Sequence, residues 1–238
     1  MAYVSEVGKR RIEIEAGLHE VEERIDQALH AANRTDSVTL VVVTKTFPAS
    51  DVEILAELGV RHVGENRDQE ASRKRAEVGD LGLTWHMIGQ VQRNKANSIA
   101  RWADVVETVD REQLVDSLAR AAGARDTPLE VLLQVSLDEP PRTERGGALP
   151  EELTRLAKRV AEFPQLRLAG VMGVAPHPGD PESAFARLHT YSNELQAHWS
   201  TARCISAGMS GDLEEAIAQG ATQVRIGGAI LGARPPVQ

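Results

Sequence analysis

Short apolar runs and helical segments alternate along the whole chain, and this alternation limits the possible folds more than any other feature. The apolar runs have the length of strands and are bounded by Gly, Pro or polar residues, as expected of strands buried in a parallel sheet. Eight such runs are predicted, at residues 39–44, 60–63, 83–88, 104–109, 129–135, 166–174, 204–207 and 222–226. Seven helices are predicted between them, at residues 50–58, 68–78, 92–102, 111–122, 151–162, 182–199 and 212–219.

This order of elements leaves two arrangements, a closed (β/α)8 TIM barrel or an open, doubly wound sheet. Eight strands favour the α/β barrel, and no glycine-rich fingerprint follows the first strand, as a dinucleotide-binding sheet would need. An additional amphipathic helix is predicted before the first strand, because apolar residues from Leu18 to Ala32 recur at intervals of three and four. No linker is evident, so we expect one domain over residues 1–238, with residues 1–35 forming a helix packed on the barrel.

The composition excludes several classes of function. A formal net charge of −8 argues against a nucleic-acid surface, because phosphate backbones need clustered cations. The single cysteine, Cys204, rules out an internal disulfide framework and cannot supply a zinc cluster by itself, so no metal site is expected. No segment approaches the length that a membrane span needs. We therefore expect a soluble cytoplasmic protein without a membrane partner, and a monomer.

Lys45 comes directly after the first long apolar run, Thr39-Leu-Val-Val-Val-Thr44. Because side chains alternate along a strand, Lys45 shares a side with Val41 and Val43, and its amine is expected above the interior that these valines fill. On this stretch alone, a lysine that has reached solvent at the end of a strand is the commoner situation. The alternative is an amine with a lowered pKa that forms an imine with an aldehyde, and it requires a phosphate site elsewhere in the chain.

A phosphate site is predicted after the last two strands. Barrels commonly bind phosphate with the loops that follow strands seven and eight, where backbone N–H groups and a helix dipole favour an anion. Gly227 and Gly228 allow the backbone to come close to phosphate oxygens, and Ser210 can donate its hydroxyl. Alternatively, Ser210 caps the following helix and the glycines only form turns. The acidic residues of that helix, Asp212 first among them, would have to face away from an anion.

A lysine after strand one and a phosphate cradle across the barrel mouth together suggest pyridoxal phosphate, with its aldehyde on Lys45. Arg225 could stand at the pyridine nitrogen and keep it unprotonated, because two positive charges in a partly buried site repel each other. Such a site would hold the cofactor but activate it weakly. Another hypothesis is a barrel enzyme that uses Lys45 for a Schiff base with a sugar phosphate.

Six groups of residues resemble the pyridoxal phosphate homeostasis protein family, the single-barrel relatives of the amino-terminal domain of alanine racemase. They run in order along most of the chain: Val42-Val-Thr-Lys45, Val63-Gly-Glu-Asn66 with Gln69-Glu70, His86-Met-Ile-Gly89 with Gln92 and Asn94-Lys95, Gly170-Val-Met172, Gly208-Met-Ser210 with Asp212, and Val224-Arg-Ile-Gly227. His86 on its own is more typical of a hydrogen-bonded core histidine, and Lys95 of a solvated helix lysine.

The resemblance implies a protein that binds pyridoxal 5'-phosphate, buffers it and delivers it to apo-enzymes, without a turnover reaction. The implied contacts are a Schiff base at Lys45, phosphate contacts from Ser210 and from the backbone of Gly227 and Gly228, Arg225 at the pyridine nitrogen and Asn66 beside the ring. The family pattern differs at Ala207, where methionine is usual, and at Gly228, where threonine is frequent.

A weakly active, racemase-like enzyme is the alternative. A racemase on this barrel needs a second base, a tyrosine from an additional domain. The chain has two tyrosines, Tyr3 in the amino-terminal tail and Tyr191 in the apolar stripe of a helix, and neither is a credible base. We therefore expect a carrier or regulator of the cofactor and not an enzyme.

Overall fold

The computed structural model describes residues 6–140 and 146–233. Within these ranges, parallel strands form one closed barrel in which consecutive strands pair and the last strand pairs with the first. The strands are β1 (Thr39–Val43), β2 (His62–Glu65), β3 (Thr84–Met87), β4 (Val105–Val109), β5 (Leu129–Val135), β6 (Leu166–Gly173), β7 (Cys204–Ser206) and β8 (Gln223–Ile226). The α-helices are α1 (Glu6–Ala31), α2 (Ala49–Glu57), α3 (Asp68–Val78), α4 (Ala96–Trp102), α5 (Glu112–Ala121), α6 (Leu153–Ala161), α7 (Pro181–Gln196), α8 (Leu213–Ala218) and α9 (Gly228–Leu231).

This architecture confirms the prediction of an α/β TIM barrel with an additional amino-terminal helix. The Val, Ile and Leu runs form the strands because both of their faces are covered, one by the helices and one by the barrel interior. None of the described helices combines the length and the apolar character that a membrane crossing requires.

The amino-terminal helix α1 packs on the outside of the barrel against α8 and α9. It buries one apolar stripe, which includes Ile14, Leu18 and Val21. The helix axes approach closely at Gly17, where a Cβ would lie 2.7 Å from the carbonyl oxygen of Ile230. A side chain at this position would therefore push α1 away from the carboxyl end of the barrel.

Two regions of the interior differ in polarity. The large apolar core lies between the strands and the surrounding helices. The inside of the barrel has a small apolar cluster of Val105, Leu132 and Met172. Above and beside this cluster, buried polar and charged side chains from β3, β4, β7 and β8 fill the space. The barrel is thus a packed core with a polar centre.

Several element boundaries differ from the sequence prediction. β1 ends at Val43, so Lys45 lies in the turn that follows the strand and does not extend it. The segment predicted as one helix over residues 92–102 begins as a 3-10 turn, Arg93–Lys95, and continues as α4. Turns at strand ends are set by local hydrogen bonds, which hydrophobic periodicity does not encode.

Candidate functional site

Lys45 is half-buried and lies at the carboxyl end of β1, where barrel sites are usually built. Phe47 N donates to Thr44 O at 3.1 Å, and Thr46 has a φ of 70°, so the chain reverses sharply at this point. Strand alternation stops at Val43. The orientation of Lys45 therefore depends on how the residues on either side of it are held.

A buried charged cluster holds both neighbours of Lys45. Lys74 on α3 donates from Nζ to Thr44 O at 2.8 Å, to Glu65 Oε1 at 2.5 Å and to Glu70 Oε1 at 3.2 Å. Thr44 Oγ1 donates to the same oxygen of Glu65 at 2.7 Å. Thr46 N donates to Glu70 Oε1 at 2.5 Å. One lysine and two glutamates thus fix the backbone just before and just after Lys45.

Glu65 is the most buried member of this cluster. Its side chain is fully shielded from solvent, and Oε2 has no hydrogen-bond partner among the described residues. Burial raises the pKa of Glu65, and the charge and hydrogen bond of Lys74 act in the opposite direction. Glu65 belongs to the Val63-Gly-Glu-Asn66 group that carries the family resemblance, whereas Lys74 is not predicted from the sequence. The Glu70–Lys74 spacing of four on a helix was the available signal.

The predicted phosphate segments lie next to the Lys45 turn. β8 pairs with β1 in a register that places Ile226 opposite Val42, so Gly227 follows at the level of Val43. A Cβ on Gly227 would lie 3.0 Å from Val43 O, whereas the Cβ position of Gly228 is open. From the sequence, we expect the phosphate cradle across the mouth from Lys45. The closure of the barrel instead brings the two turns side by side.

The loop after β7 joins the same edge, because Arg225 N donates to Gly208 O at 3.0 Å. Ser210 lies in this loop, is partly exposed and does not cap the next helix. The residue before α8 is Asp212, whose Oδ1 accepts from Met209 N at 2.6 Å. The alternative that Ser210 caps the following helix is therefore wrong, because Asp212 precedes α8.

Of the acids at the start of α8, Glu214 is held by α1, whereas Asp212 lies close enough to Arg225 for the two charges to interact. Arg24 on α1 binds both carboxylate oxygens of Glu214, at 2.8 and 2.9 Å. The same guanidinium donates to Ser210 O at 3.0 Å. The acids that counted against an anion site are thus partly engaged by α1, which also ties down the loop that carries Ser210.

Asn66 follows β2 directly and is exposed at the mouth. Its backbone passes so close to Gly89 that a Cβ on Gly89 would lie 2.1 Å from Asn66 O. The glycine in the His86–Gly89 segment therefore sets the position of Asn66. A cavity of about 1080 Å³ opens beside Asn66 and Thr46, between α3 and the segment that leads from β3 into α4, but Lys45, Ser210 and Arg225 do not line it.

Arg225 points into the polar centre of the barrel and is 5% exposed. Its Nη1 donates to Ser206 Oγ at 2.6 Å, and its Nη2 donates to Gly173 O at 3.0 Å. His86 is also buried there and contacts Glu107 and His62, as expected of a hydrogen-bonded core histidine. The structure thus brings Lys45, Ser210 and the Gly227–Gly228 turn to one sector of the barrel mouth, whereas the side chain of Arg225 is buried inside the barrel. Asn66 lies at the end of β2, on the other side of β1.

Comparison with known proteins gives the family. The family model for the alanine racemase N-terminal domain matches residues 18–235. The pyridoxal phosphate homeostasis protein of Corynebacterium glutamicum is 44% identical over 220 residues, which cover 89% of this chain and 98% of that protein. The protein of the same name from Mycobacterium tuberculosis is 42% identical over an alignment of 245 residues that covers 94% of each chain.

This chain belongs to the pyridoxal phosphate homeostasis protein family. Its sequence resemblance to that family is therefore confirmed.

Solved structures agree with this membership. The structure of PipY from Synechococcus elongatus PCC7942 with PLP bound has the same fold, with a TM-score of 0.80. The two sequences are 32% identical, and the match covers 92% of this chain and 100% of PipY. Alanine racemase from Bacillus anthracis has a TM-score of 0.66 at 18% identity, and the match covers 95% of this chain but 57% of the racemase. The racemase likeness shows a common barrel fold only.

Proposed function

We propose that this chain binds pyridoxal 5'-phosphate through an imine on Lys45, buffers it and delivers it to apo-enzymes. The observation that carries the proposal is the adjacency of two turns at the barrel mouth. The half-buried Lys45 turn ends β1, and the Gly227–Gly228 turn ends β8, its hydrogen-bonded neighbour. The PLP-bound structure of PipY, a relative at 32% identity, gives independent support.

The residues present suit a phosphate group. Gly227 and Gly228 begin a short helix, and the first N–H groups of a helix have no partner within it. The turn is open at Gly228, which is exposed and whose Cβ position has no heavy atom within 4 Å among the described residues. Ser210, in the adjacent loop, offers a hydroxyl donor. This set of neutral donors in an open turn fits a doubly charged phosphate.

The remaining contacts are proposed for the ring. When bound, pyridoxal phosphate supplies an aldehyde for imine formation and an electron-withdrawing aromatic ring. Arg225 would donate to the pyridine nitrogen and so disfavour its protonation, because the guanidinium is already positive. Asn66 would lie beside the ring, held in place by the close contact with Gly89. The Lys74 cluster would orient the amine of Lys45 by fixing the residues on both sides of it.

A carrier role fits these residues better than a racemase role. An arginine at the pyridine nitrogen weakens the electron sink that carbanion chemistry requires. Tyr191 lies on α7 and packs against the outer apolar core, so it is not available as a base at the barrel mouth. Tyr3, the other tyrosine, lies outside the described residues. We therefore propose binding and transfer of the cofactor as the function.

Trapping tests the covalent step. The purified protein is incubated with the cofactor, reduced with borohydride and digested, and the peptides are analysed by mass spectrometry. We expect a yellow protein and a single reduced adduct on the Lys45 peptide. Lys45→Ala should lose the adduct, whereas Lys95→Ala, the matched lysine control beside the neighbouring cavity, should retain it. The same adduct on another lysine in Lys45→Ala would contradict the assignment.

Transfer is tested separately with an apo-aminotransferase. The loaded protein should restore its activity at least as fast as the same concentration of free cofactor. Racemisation of alanine by the pure protein is measured in parallel. A reproducible, Lys45-dependent racemisation would favour the enzyme alternative over the carrier.

A further inference from the structure

Glu107 lies in the middle of β4, and its side chain is fully buried inside the barrel. Its Oε1 accepts from His86 Nδ1 at 2.7 Å and from Gln223 Nε2 at 2.8 Å. Its Oε2 accepts from Ser206 Oγ at 2.6 Å. Three donors from three other strands therefore converge on one carboxylate, as expected if it is ionised.

Ser206 connects this carboxylate to Arg225. The Ser206 hydroxyl donates its only proton to Glu107 and accepts from Arg225 Nη1 at 2.6 Å and from Gln223 Nε2 at 2.9 Å. With one donor and two acceptor positions used, its bonding capacity is filled. The direction of the Ser206 hydroxyl is therefore fixed, and so is the place where the guanidinium binds.

Arg225 and Glu107 come from opposite walls of the barrel, since β4 and β8 lie four strands apart around it. Arg225 Nη1 lies 3.8 Å from Glu107 Oε2. Both side chains are nearly or fully buried, and an isolated buried charge is strongly unfavourable. Each group thus compensates the charge of the other. Burial by itself would raise the pKa of Glu107, but His86, Arg225 and Ser206 outweigh it and keep the pKa below its usual value.

We propose that Glu107 is the positioning residue for Arg225. It orients the guanidinium through Ser206 and balances its charge, so that the pyridine nitrogen of the bound cofactor meets an arginine that is fixed in direction and paired. This inference rests on the proposed function, because it assigns a partner to the arginine of the same site.

The charge of Glu107 has a measurable consequence. An imine between Lys45 and the cofactor is yellow when protonated and loses its visible band when the proton leaves. A carboxylate beneath the site favours the protonated, cationic form. At an effective dielectric constant of about 20, a unit charge roughly 10 Å away shifts such a pKa by about one unit. The pH at which the yellow band fades therefore reports on Glu107.

The other titratable groups near the pair come from several elements. They are His62 on β2, His86 on β3, Cys204 on β7 and Asp212 before α8. Burial raises the pKa of the Cys204 thiol to about 12, so it stays neutral throughout the titration. Burial lowers the pKa of His62 to about 4, so it also stays neutral above pH 6.

The test compares Glu107→Gln with the wild type after loading with pyridoxal 5'-phosphate. Glutamine keeps the shape and removes the charge. We expect the midpoint of the pH titration of the visible band to fall by about one unit and the affinity for the cofactor to fall about tenfold. Glu130→Gln is the matched control, because Glu130 is a half-exposed strand glutamate that pairs with Arg167 and should leave both quantities unchanged.

Ser206→Ala separates orientation from charge. It removes the bridge but keeps Glu107, so the affinity should fall several-fold while the titration midpoint moves less than in Glu107→Gln. If Glu107→Gln does not fold, the affinity of Ser206→Ala for the cofactor is the test. An unchanged affinity in Ser206→Ala contradicts the proposal. Unchanged midpoint and affinity in a folded Glu107→Gln also overturn it and leave the proposed function intact. A wild-type protein that traps no cofactor overturns both.

Discussion

Replacing Lys74 with methionine tests the buried cluster that holds the Lys45 turn. Methionine keeps most of the side-chain volume and removes the charge and three hydrogen bonds. The side chain of Glu65 is fully buried, so in the variant it must either remain ionised without its partner or take up a proton. Either change lowers the free energy of unfolding.

The size of this loss in unfolding free energy is set by the outcome that costs less, which is protonation of Glu65. Burial already holds the pKa of Glu65 above its ordinary value of 4.5. Protonating a carboxyl group whose pKa has the ordinary value of 4.5 requires about 3.4 kcal/mol at pH 7, because each pKa unit corresponds to about 1.4 kcal/mol. This is the upper limit for Glu65. The lost hydrogen bond to Thr44 O adds about 1 kcal/mol. We expect Lys74→Met to lower the unfolding free energy by about 3–4 kcal/mol at pH 7, in the range for a broken buried ion pair.

The pH dependence has a definite sign. The pKa of Glu65 is raised in the folded chain and rises further without Lys74, so the folded variant holds its proton more tightly than the unfolded chain does. Stability from this group is present below the unfolded pKa and is lost as the pH rises through the folded pKa. The deficit of Lys74→Met should therefore be about 1–2 kcal/mol at pH 5 and larger at pH 8.

Urea denaturation followed by circular dichroism measures this deficit at both pH values. The double variant Lys74→Met/Glu65→Leu should recover at least half of the loss, because it no longer buries a carboxyl group. Arg155→Met is the surface control; its exposed pairs with Glu112 and Glu152 should contribute less than about 1 kcal/mol. A deficit below about 1 kcal/mol at pH 8, or one that does not change with pH, would refute the reasoning.

Two further predictions concern the mouth and the centre of the barrel. Gly89→Ala should weaken cofactor binding about tenfold in an absorbance titration, because the added Cβ would lie 2.1 Å from Asn66 O. The control is Gly123→Ala, which should bind the cofactor normally because the Cβ position of Gly123 is open. Burial lowers the pKa of His62 to about 4, so stability should be lost as the pH falls from the unfolded value of 6.5 towards 4; after allowance for partial exposure, we expect a loss of about 2 kcal/mol. His62→Gln should remove most of that loss in unfolding experiments at pH 7 and pH 4.5, and an unchanged loss would assign it to another group.

The fold could be predicted from the sequence because its signals are local and repeated. Each buried strand is a short apolar run, and each helix carries an apolar stripe, so the alternation predicts a parallel barrel before any contact is known. The site could be predicted in outline for a related reason. In a barrel, residues after the strands share one face, which is why Lys45, Ser210 and the Gly227–Gly228 turn could be grouped although they are distant in the chain.

Details of the site that depend on turn geometry were not predictable. The expectation that Lys45 extends β1 is wrong, because a hydrogen bond between Phe47 N and Thr44 O starts the turn after Val43. The side-by-side placement of Gly227 and the Lys45 turn follows from barrel closure, which pairs β8 with β1. The residue roles at the cofactor and the monomeric state stay predictions.

The sequence by itself determined the order of elements, the barrel and the strand-end positions of the candidate site, because hydrophobic periodicity and strand ends are properties of short segments. Only the tertiary structure decided which charges are paired. A lone glutamate in the apolar run Val105–Val109 signals a buried charge, but its partners Ser206 and Arg225 lie about a hundred residues away. Lys74 likewise meets Glu65 and Thr44 only after α3 has packed on the barrel. A buried charge is stable only when it is paired, and the fold brings the paired groups together from segments that are distant in the chain.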